Sequence, residues 1–375
     1  MPNRGGIIFV HSSNEMYGAD KVLVQVLRTL SEEAKSQSIV WLPNDVPVAR
    51  FSLDAELSRS GFRFEIRTLP ILRRKYLSLR YLPRTLTAMV RTARAIVKLS
   101  PQTIYLTTSA SLPLGILARF LGVKNVVFHC QEVWRGPEAY VLGGLALAVT
   151  DCLCISESTR AALKGPVRRR SRLMLNGVPD YERPRVPPTS QEATIRFLIA
   201  SRWNSWKGHG TLLAAWDSGP SLGELVVVGG PPEMGQAVDV PQIVAEMANR
   251  ESVVVLGEVE DISMQIDEAD FVIVPSDEPE PFGLIAIEAF ARGRAVIASD
   301  GGGLAEVVCD SETGRLFPHR DVLALRTAMQ GLGKSDAMKM GEAARQSYLR
   351  TYSIEAFNAR FRTFWRDIEP VAGVQ

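Results

Sequence analysis

Short runs rich in valine and isoleucine recur along the whole chain, and segments with a helical pattern separate them. The runs do not alternate apolar with polar side chains, which is typical of strands buried on both faces of a parallel sheet. Helices between such strands form βαβ units, so the pattern predicts an α/β protein with doubly wound sheets. The predicted strands are Gly6–His11, Ser38–Leu42, Thr103–Thr107, Asn125–Cys130, Asp151–Ser156, Arg172–Leu175, Arg196–Ala200, Glu224–Gly229, Val253–Leu256, Phe271–Pro275 and Ala295–Ser299.

A proline-rich stretch, Pro179 to Ser190, interrupts this pattern and divides it into two similar halves. The 375 residues also exceed what one hydrophobic core usually serves. We therefore predict two Rossmann-like domains, over 1–183 and 184–352. Ligands of open α/β sheets bind at the carboxyl ends of strands, so the domains are expected to face a central cleft. Aromatic residues at helical spacing predict that 353–375 forms a C-terminal helix packing back toward the N-terminal domain.

Composition and charge exclude several classes of protein. A formal net charge of +2 gives no global basic field for nucleic acid, although cations cluster over 73–98 and 168–172. The apolar run at the N-terminus is too short for a signal peptide. The longest apolar stretch, Tyr140–Ile155, is shorter than a membrane span and predicts a buried helix followed by a buried strand. The four cysteines include no zinc-type CxxC pair, and a chain of this length does not need disulfides, so we expect reduced thiols and a cytoplasmic protein.

The segment Phe271–Val308 concentrates the residues that could do chemistry. It contains a buried strand, a polar loop, a predicted helix that Pro281 opens, and a second strand that leads to Asp300 and three glycines. Free N–H groups at a helix start attract phosphate, and glycines let a ligand approach the backbone closely. Carboxylates such as Glu280 and Glu288 suit the hydroxyls of a sugar or ribose, which donate hydrogen bonds to them. A glutamate at a helix start also stabilises the helix dipole without any ligand.

This segment resembles the signature of the family 4 retaining glycosyltransferases, which have the two-domain GT-B fold. The family pattern is Glu, seven residues, Glu, within a Pro-Phe-Gly-Leu…Glu-Ala context. Here Glu280 is followed by Pro281, Phe282, Gly283 and Leu284, and Glu288 by Ala289. The resemblance implies that Glu280 contacts hydroxyls of the donor sugar and that Glu288 contacts the nucleotide ribose. The loop and helix that follow match at Asp300, Gly302, Gly303 and Glu306.

Arg202 and Lys207, after the first strand of the second half, resemble the cationic pair of the same family. Their implied role is to neutralise the departing diphosphate, because preorganised cations stabilise charge that develops in a transition state. A solvated pair of loop residues is the alternative. No Asp-x-Asp metal motif precedes the site, so we expect no metal and no cofactor. The resemblance also implies donor contacts at Phe282, Gly283 and Leu284, and backbone contacts to the nucleotide base at Gly257 and Val259.

The first half matches the family less densely. Tyr17-Gly18-Ala19-Asp20 resembles the glycine loop that opens the first helix, with Tyr17 in place of a glycine and Asp20 in place of a glutamate. Gly18 is therefore predicted to contact the donor. His129 matches a histidine that the family places near the sugar, and a buried structural histidine is its alternative. Acceptor-contacting residues are expected next to it, at Gln131 and Glu132.

These matches imply a metal-independent hexosyltransferase that retains anomeric configuration, with a UDP- or GDP-sugar donor. The expected acceptor is a glycan or a polyprenyl-diphosphate-linked sugar, in cell-surface polysaccharide or lipopolysaccharide biosynthesis. The basic and apolar segment Pro70–Pro83 suits an anionic membrane, which would make the enzyme peripheral on the cytoplasmic face of the inner membrane. An ordinary solvated helix explains that segment equally well. A nucleotide-sugar epimerase and an inactive GT-B scaffold subunit remain alternatives; a dehydrogenase would require a GxGxxG motif after the first strand.

Overall fold

The computed structural model describes residues 6–46, 51–73, 76, 78–181, 194–232 and 236–368. The chain divides into two compact units, one of Met1–Leu175 with Asn358–Gln375 and one of Asn176–Phe357. Most of the predicted linker, Pro179–Ser190, falls within 182–193 and so lies outside the described residues. Within the described ranges, no helix combines the length and the apolar character needed to cross a bilayer.

The first unit contains a parallel seven-stranded sheet with the order β3-β2-β1-β4-β5-β6-β7. Its central strands are completely buried, which explains why their sequences are continuously apolar. The strands are β1 (Ile7–Val10), β2 (Ile39–Pro43), β3 (Phe64–Arg67), β4 (Thr103–Leu106), β5 (Asn125–Cys130), β6 (Asp151–Cys154) and β7 (Ser171–Leu173).

Helices connect the strands of the first unit on both faces of its sheet. One face packs with α4, α5 and α8 into a single apolar core, which includes the free thiols of Cys130, Cys152 and Cys154. The helices are α1 (Gly18–Arg28), α2 (Glu32–Gln37), α3 (Leu53–Arg59), α4 (Leu82–Leu99), α5 (Leu112–Phe120), α6 (Gly136–Leu145), α7 (Glu157–Ala162) and α8 (Gly165–Arg169).

The second unit contains a parallel six-stranded sheet with the order β10-β9-β8-β11-β12-β13. Its strands are β8 (Arg196–Ala200), β9 (Glu224–Val228), β10 (Val253–Gly257), β11 (Phe271–Val274), β12 (Ala295–Ser299) and β13 (Gly314–Phe317). Its helices are α9 (His209–Asp217), α10 (Val240–Glu246), α11 (Ser263–Glu268), α12 (Leu284–Ala291), α13 (Leu304–Val307), α14 (Val322–Met329) and α15 (Lys334–Ser347).

The last helix, α16 (Ile354–Ile368), carries the aromatic residues that the sequence places at helical spacing. Trp365 is buried in the first unit, with its ring centroid 6.4 Å from that of Phe9 and 5.7 Å from that of Tyr105. Its indole N–H donates a 3.0 Å hydrogen bond to the hydroxyl of Thr29. The end of the chain therefore completes the core of the unit that the beginning of the chain forms.

The structure corrects two local predictions. Helix α6, expected to be buried, contains no buried residue, and its Tyr140 is 72% exposed. The helix expected to open at Pro281 begins at Leu284 instead, because Gly283 stands before it with a φ of +95° in the left-handed region. Glu280 therefore lies in a loop and not at a helix start. Strands β3 and β13 were not predicted; both lie at sheet edges and are only partly buried.

Candidate active site

The strand order of the second sheet reverses between β8 and β11, which are neighbours in the sheet. Ligands of open α/β sheets bind outside the carboxyl ends of the strands at such a switch point. The loop after β8 carries Arg202 and Lys207, and the loop after β11 carries Glu280. Two predicted elements from distant parts of the sequence are thus brought to one edge of the sheet.

An ion pair between Lys207 and Glu280 forms the centre of this edge. The Lys207 ammonium lies 2.9 Å from both carboxylate oxygens of Glu280, and the Ser276 hydroxyl donates a third bond of 2.9 Å to that carboxylate. Glu280 is 8% exposed. Since an ammonium has three N–H donors, the pairing occupies two of them and leaves one for another acceptor.

The loop that carries Lys207 is fixed against the loop that carries Glu280. Gly208 has a φ of +74°, and a Cβ there would lie 1.8 Å from the Pro275 carbonyl oxygen. The Asp277 N–H donates a 2.8 Å bond to the Trp206 carbonyl, and the Thr211 hydroxyl donates a 2.7 Å bond to the Asp277 carboxylate. Because backbone and side chain hold both loops, the ion pair is preorganised.

The glycine loop after β12 packs on the backbone around Glu280. The Gly303 N–H donates a 2.7 Å bond to the Glu280 carbonyl. A Cβ on Gly302, whose φ is +64°, would lie 2.2 Å from that carbonyl oxygen, and one on Gly303 would lie 2.5 Å from Phe282 Cα. We expected these glycines to let a ligand approach their backbone closely. In the structure, the group that packs closely against Gly302 and Gly303 is the loop that carries Glu280. Asp300, which precedes them, is exposed.

The remaining residues of the Pro-Phe-Gly-Leu motif shape the start of α12. Phe282 is buried and packs edge-on against Tyr352, with 6.0 Å between the ring centroids. A Cβ on Gly283 would lie 2.4 Å from Leu304 Cδ2, so the left-handed turn also requires the absence of a side chain. Leu284 is the first residue of α12 and is partly buried. Phe282 therefore contributes to the core, and its backbone lies beside the glycine loop.

Glu288 lies buried one turn into α12. Burial and, secondly, the negative charge of Glu288 raise the pKa of Tyr181 above its usual value. The Arg292 guanidinium lies 5.6 Å from the Tyr181 ring centroid and makes a buried ion pair with Asp267. Tyr181 thus comes close to the predicted ribose carboxylate, a proximity that its position beside the proline-rich stretch did not indicate.

Two further predicted residues, Gly257 and Val259, lie at the carboxyl end of the edge strand β10. Gly257 has a φ of +74° and open space where a Cβ would point, and its carbonyl accepts a 2.9 Å bond from the Gly229 N–H. Val259 and Arg202 are both partly buried. Gly257, Val259, Arg202 and Lys207 all follow carboxyl ends of strands in one sheet, as the predicted donor site requires.

Two histidines near the site were not predicted as functional residues. His319 Nδ1 lies 2.7 Å from the Ser276 carbonyl oxygen. A Cβ on Gly301 would lie 2.2 Å from His319 Nε2. His209, next to Gly208, is almost completely buried, and neither ring nitrogen has a hydrogen-bond partner among the described residues. Burial, and secondly the charge of Lys207, lower the pKa of His209 to about 4, so the ring is neutral.

In the first unit, His129 has the environment of a buried histidine. It is completely buried between aromatic rings, with centroids 5.9 Å from Tyr105 and 5.9 Å from Phe361 of α16. Its Nδ1 lies 2.9 Å from the Tyr105 hydroxyl, and burial lowers its pKa to about 3. These contacts favour the structural alternative for His129, whose catalytic role stays a prediction.

A polar network at the end of β1 holds the loop that contains Gly18. His11 Nε2 lies 2.9 Å from the Asp20 carboxylate, and His11 Nδ1 lies 2.5 Å from the Thr107 hydroxyl. The Ser13 hydroxyl donates a 2.7 Å bond to the same carboxylate, which also accepts a 3.3 Å bond from the Tyr17 N–H. Gly18 follows as the exposed first residue of α1. The strand order of the first sheet reverses here, between β1 and β4.

Glu132, predicted to contact the acceptor, follows β5 in the same sheet. Its carboxylate accepts a 2.6 Å bond from the Ser109 hydroxyl and a 3.2 Å bond from the Ser109 N–H. Burial raises the pKa of Glu132, and these bonds oppose the rise. The Gln131 amide donates a 3.2 Å bond to the Thr107 carbonyl. Among the described residues, no group of three or more His, Cys, Asp or Glu side chains is arranged to hold a metal ion.

A comparison with known protein families matches the segment that forms this site. Residues 194–335 match the family model described as "Glycosyl transferases group 1". The matched residues include β8, β11, α12 and both partners of the Lys207–Glu280 pair. The part of the chain that holds the candidate site is thus similar to the group 1 glycosyltransferases.

Curated members of this family align with part of the chain. A phosphatidyl-myo-inositol mannosyltransferase of Mycolicibacterium smegmatis is 35% identical over 94 residues, which are 24% of each chain. A lipopolysaccharide 1,2-N-acetylglucosaminetransferase of Salmonella typhimurium is 36% identical over 95 residues, which are 25% of each chain. The alignments thus span about a quarter of these glycosyltransferases.

Solved structures match almost the whole chain in fold. The Anabaena protein Alr3699/HepE, solved in complex with UDP-glucose, superposes with a TM-score of 0.78 at 19% identity. The superposition covers 96% of this chain and 99% of that one. A lipopolysaccharide outer core galactosyltransferase, WaaB, superposes with a TM-score of 0.73 at 14% identity, over 96% and 99% of the two chains. The predicted GT-B fold, with two Rossmann-like α/β domains, is confirmed.

Proposed function

We propose that this protein is a retaining glycosyltransferase that moves a hexose from a UDP- or GDP-linked donor to a glycan or lipid-linked acceptor. The observation that carries the proposal is the Lys207–Glu280 pair, with 2.9 Å from one ammonium to both carboxylate oxygens. The pair lies on the loops that follow the two strands at the switch point, where the fold binds ligands. The family match to residues 194–335 supports it.

The proposed chemistry assigns a separate task to each charge. Cleavage of the bond between the sugar and the diphosphate places negative charge on the leaving phosphate oxygen. Lys207, with Arg202 after the same strand, would stabilise that charge in a partly buried and preorganised setting. Glu280 would accept hydrogen bonds from the hydroxyls of the sugar, and Glu288 those of the ribose.

We propose retention of anomeric configuration on the strength of the family resemblance. No carboxylate of the proposed donor site is assigned as a covalent nucleophile, because Glu280 is engaged by Lys207 and Ser276. We therefore propose displacement on the front face of the sugar through an oxocarbenium-like state. The leaving phosphate would help to remove the proton of the acceptor hydroxyl.

For the acceptor and the cellular location, the proposal names only a class of molecule and a compartment. One relative is named for phosphatidyl-myo-inositol and another for lipopolysaccharide, which supports a lipid-linked or glycan acceptor. The proposal assigns the enzyme to cell-surface polysaccharide or lipopolysaccharide biosynthesis, in the cytoplasm. With a polyprenyl-diphosphate-linked acceptor, it would work as a peripheral protein on the inner membrane.

A thermal-shift screen with UDP, GDP and their hexose conjugates tests the donor half. A ligand that binds only the folded state stabilises it by mass action and so raises the melting temperature. At a ligand concentration of one hundred times the dissociation constant, the free energy of unfolding rises by about 2.7 kcal/mol. The complex of Alr3699/HepE with UDP-glucose favours UDP-glucose as the first donor to try. No shift with any nucleotide diphosphate would contradict the proposal.

Turnover separates the transferase from its alternatives. Nucleotide diphosphate released only when an acceptor is present supports transfer. Interconversion of the donor sugar without an acceptor would identify an epimerase, and donor binding without turnover across an acceptor panel would identify a scaffold subunit. A chelator is expected to leave the rate unchanged, and restoration of a chelator-sensitive rate by Mg²⁺ would contradict metal independence.

A further inference from the structure

Helix α4 (Leu82–Leu99) of the first unit presents three different faces. Its buried face consists of Ala88, Thr92, Ala95 and Ile96, which pack toward the sheet. A second face is apolar yet exposed. Its residues lie at intervals of four and seven positions, which places them in one stripe along the helix: Leu82, Leu86, Val90 and Val97. A helix that only covers a sheet needs the first of these faces and not the second.

The third face of α4 is cationic. Arg91, Arg94 and Lys98 are exposed and succeed one another at helical spacing, next to the apolar stripe. The sequence of the helix, LPRTLTAMVRTARAIVKL, contains no aspartate and no glutamate. An exposed apolar stripe beside a row of cations with no acidic residue on the helix is typical of helices that lie in the interface of an anionic bilayer.

The exposed apolar surface continues beyond α4. Helix α5 packs between α4 and α6. Phe120, at the end of α5, is 85% exposed, and on α6 Tyr140 and Val141 are exposed as well. The Lys164 ammonium lies 4.6 Å from the Tyr140 ring centroid. The same pairing of apolar groups with cations thus recurs on neighbouring helices of the unit.

The first described residues of Pro70–Pro83, the segment in which we expected a membrane contact, are engaged within the unit. Arg73 donates bonds of 2.8 Å and 3.1 Å to the Asp45 carboxylate and one of 2.8 Å to the Ser12 carbonyl. Ile71 is buried, and the Tyr76 hydroxyl also donates to Asp45. Arg73 is thus used within the unit, and so is Arg84 of α4, which lies 3.8 Å from Asp45, whereas Arg91, Arg94 and Lys98 of α4 are exposed. Arg74, Lys75 and Leu77 lie outside the described residues.

We propose that the exposed face of α4, with the adjoining surface of α6, docks the protein onto an anionic phospholipid bilayer. The apolar stripe enters the boundary between headgroups and acyl chains, and the cationic face contacts the anionic headgroups. Helix α4 carries half of the first basic cluster of the sequence, and three of those four cations, Arg91, Arg94 and Lys98, are exposed. The surface belongs to the first unit, so the proposal stands independently of the donor chemistry of the second.

Vesicle flotation tests the proposal. We expect the full chain to float with vesicles of phosphatidylcholine and phosphatidylglycerol, not with phosphatidylcholine alone, and to bind less as salt rises. The variant Leu86→Glu/Val90→Glu is expected to stop floating. The variant Arg91→Gln/Arg94→Gln/Lys98→Gln is expected to bind at least about tenfold more weakly, since each surface cation contributes of the order of a kcal/mol.

Matched controls are available on the second unit. Leu323→Glu places the same charge on another exposed leucine, and Lys339→Gln/Arg350→Gln removes exposed cations elsewhere. Both controls are expected to float as the unmodified chain does, and circular dichroism should show all variants folded. Failure of the unmodified chain to float with anionic vesicles, or equal flotation of the α4 variants and the controls, would overturn the proposal. Self-association that Leu86→Glu/Val90→Glu abolishes, without any vesicle binding, would assign the face to a second copy and overturn it too.

Discussion

Lys207 and Glu280 carry opposite charges that the proposed donor would use separately, one for phosphate and one for sugar. We expect Lys207→Met to lower kcat by about 10²–10³-fold, which is typical for removal of one preorganised group that stabilises developing charge. Glu280→Gln keeps the shape but loses the carboxylate, and it should lower turnover strongly as well. Steady-state kinetics with the donor found by thermal shift measures both, and Lys339→Met serves as the control. Wild-type turnover in either variant would refute the assigned roles.

His129 makes the stability of the first unit depend on pH. Burial lowers its pKa to about 3 in the folded protein, whereas the unfolded chain has the ordinary value of 6.5. Between these values only the unfolded state binds the proton, so unfolding becomes easier as the pH falls below 6.5. The contribution is about 1.4 kcal/mol per pH unit in that range.

Urea unfolding of the unmodified chain and of His129→Gln, at several pH values from neutral down to pH 4, measures this effect. Glutamine can still accept the hydrogen bond of the Tyr105 hydroxyl but does not titrate. The difference in unfolding free energy between the two proteins should therefore shrink or reverse toward low pH. A difference that does not change with pH would mean that His129 has the same pKa in the folded protein as in the unfolded chain, and would contradict the prediction.

At the scale of elements, the glycine loop and the Glu280 loop pack tightly against each other. Gly302→Ala would bring a Cβ to 2.2 Å from the Glu280 carbonyl oxygen, at a φ of +64°. We expect a loss of about 1–3 kcal/mol in unfolding free energy and a loss of turnover, because the loop that bears the carboxylate must move. Gly143→Ala, on α6, is the control, since its Cβ would have no neighbour within 4 Å. Equal stability and activity of the two variants would contradict this coupling.

The elements also show what the sequence could predict. Strands such as Asn125–Cys130 and Ala295–Ser299 have the predicted bounds because every residue in them is buried and most are apolar. Strands β3 and β13 escaped prediction because edge strands are half exposed, and their Arg67 and Arg315 break the run. The helix after Glu280 was predicted three residues too early, since Pro281 favours a helix start but the left-handed Gly283 determines it.

Only those residues of the candidate site that belong to a recognisable sequence motif could be predicted. The resemblance identified Lys207 and Glu280, yet it gave them separate tasks and did not indicate that they pair with each other. Tyr181 beside Glu288, and the network of His11 with Asp20, depend on tertiary contacts that carry no local pattern. A histidine directly after a buried strand was the only signal for His11, and it is a weak one.

At the scale of the whole molecule, the aromatic face of α16 supports the first unit. Trp365→Ala removes a buried ring that contacts Phe9 and Tyr105 and the hydrogen bond to Thr29. We expect a loss of about 3–5 kcal/mol in unfolding free energy. Arg366→Ala, exposed on the same helix, should change it by no more than about 0.5 kcal/mol.

Hydrogen exchange locates the effect of Trp365→Ala. Amides of β1, β4 and β5 should lose protection, because the missing ring lies against their sheet, while those of β8 and β11 should keep it. Equal loss of protection in both sheets would indicate one cooperative unit in place of two. A two-domain protein need not unfold in a single transition, so exchange is more informative than a melting temperature alone.

The division of the chain into units has a consequence for how the protein is made. The first unit is interrupted by the second, and its helix α16 leaves the ribosome only after the second unit has been made. At about 5–20 residues per second, the first sheet therefore waits for many seconds with the surface for Phe361 and Trp365 uncovered, while the second unit is translated and can fold on its own. The nascent sheet is thus a natural client for a chaperone during that interval.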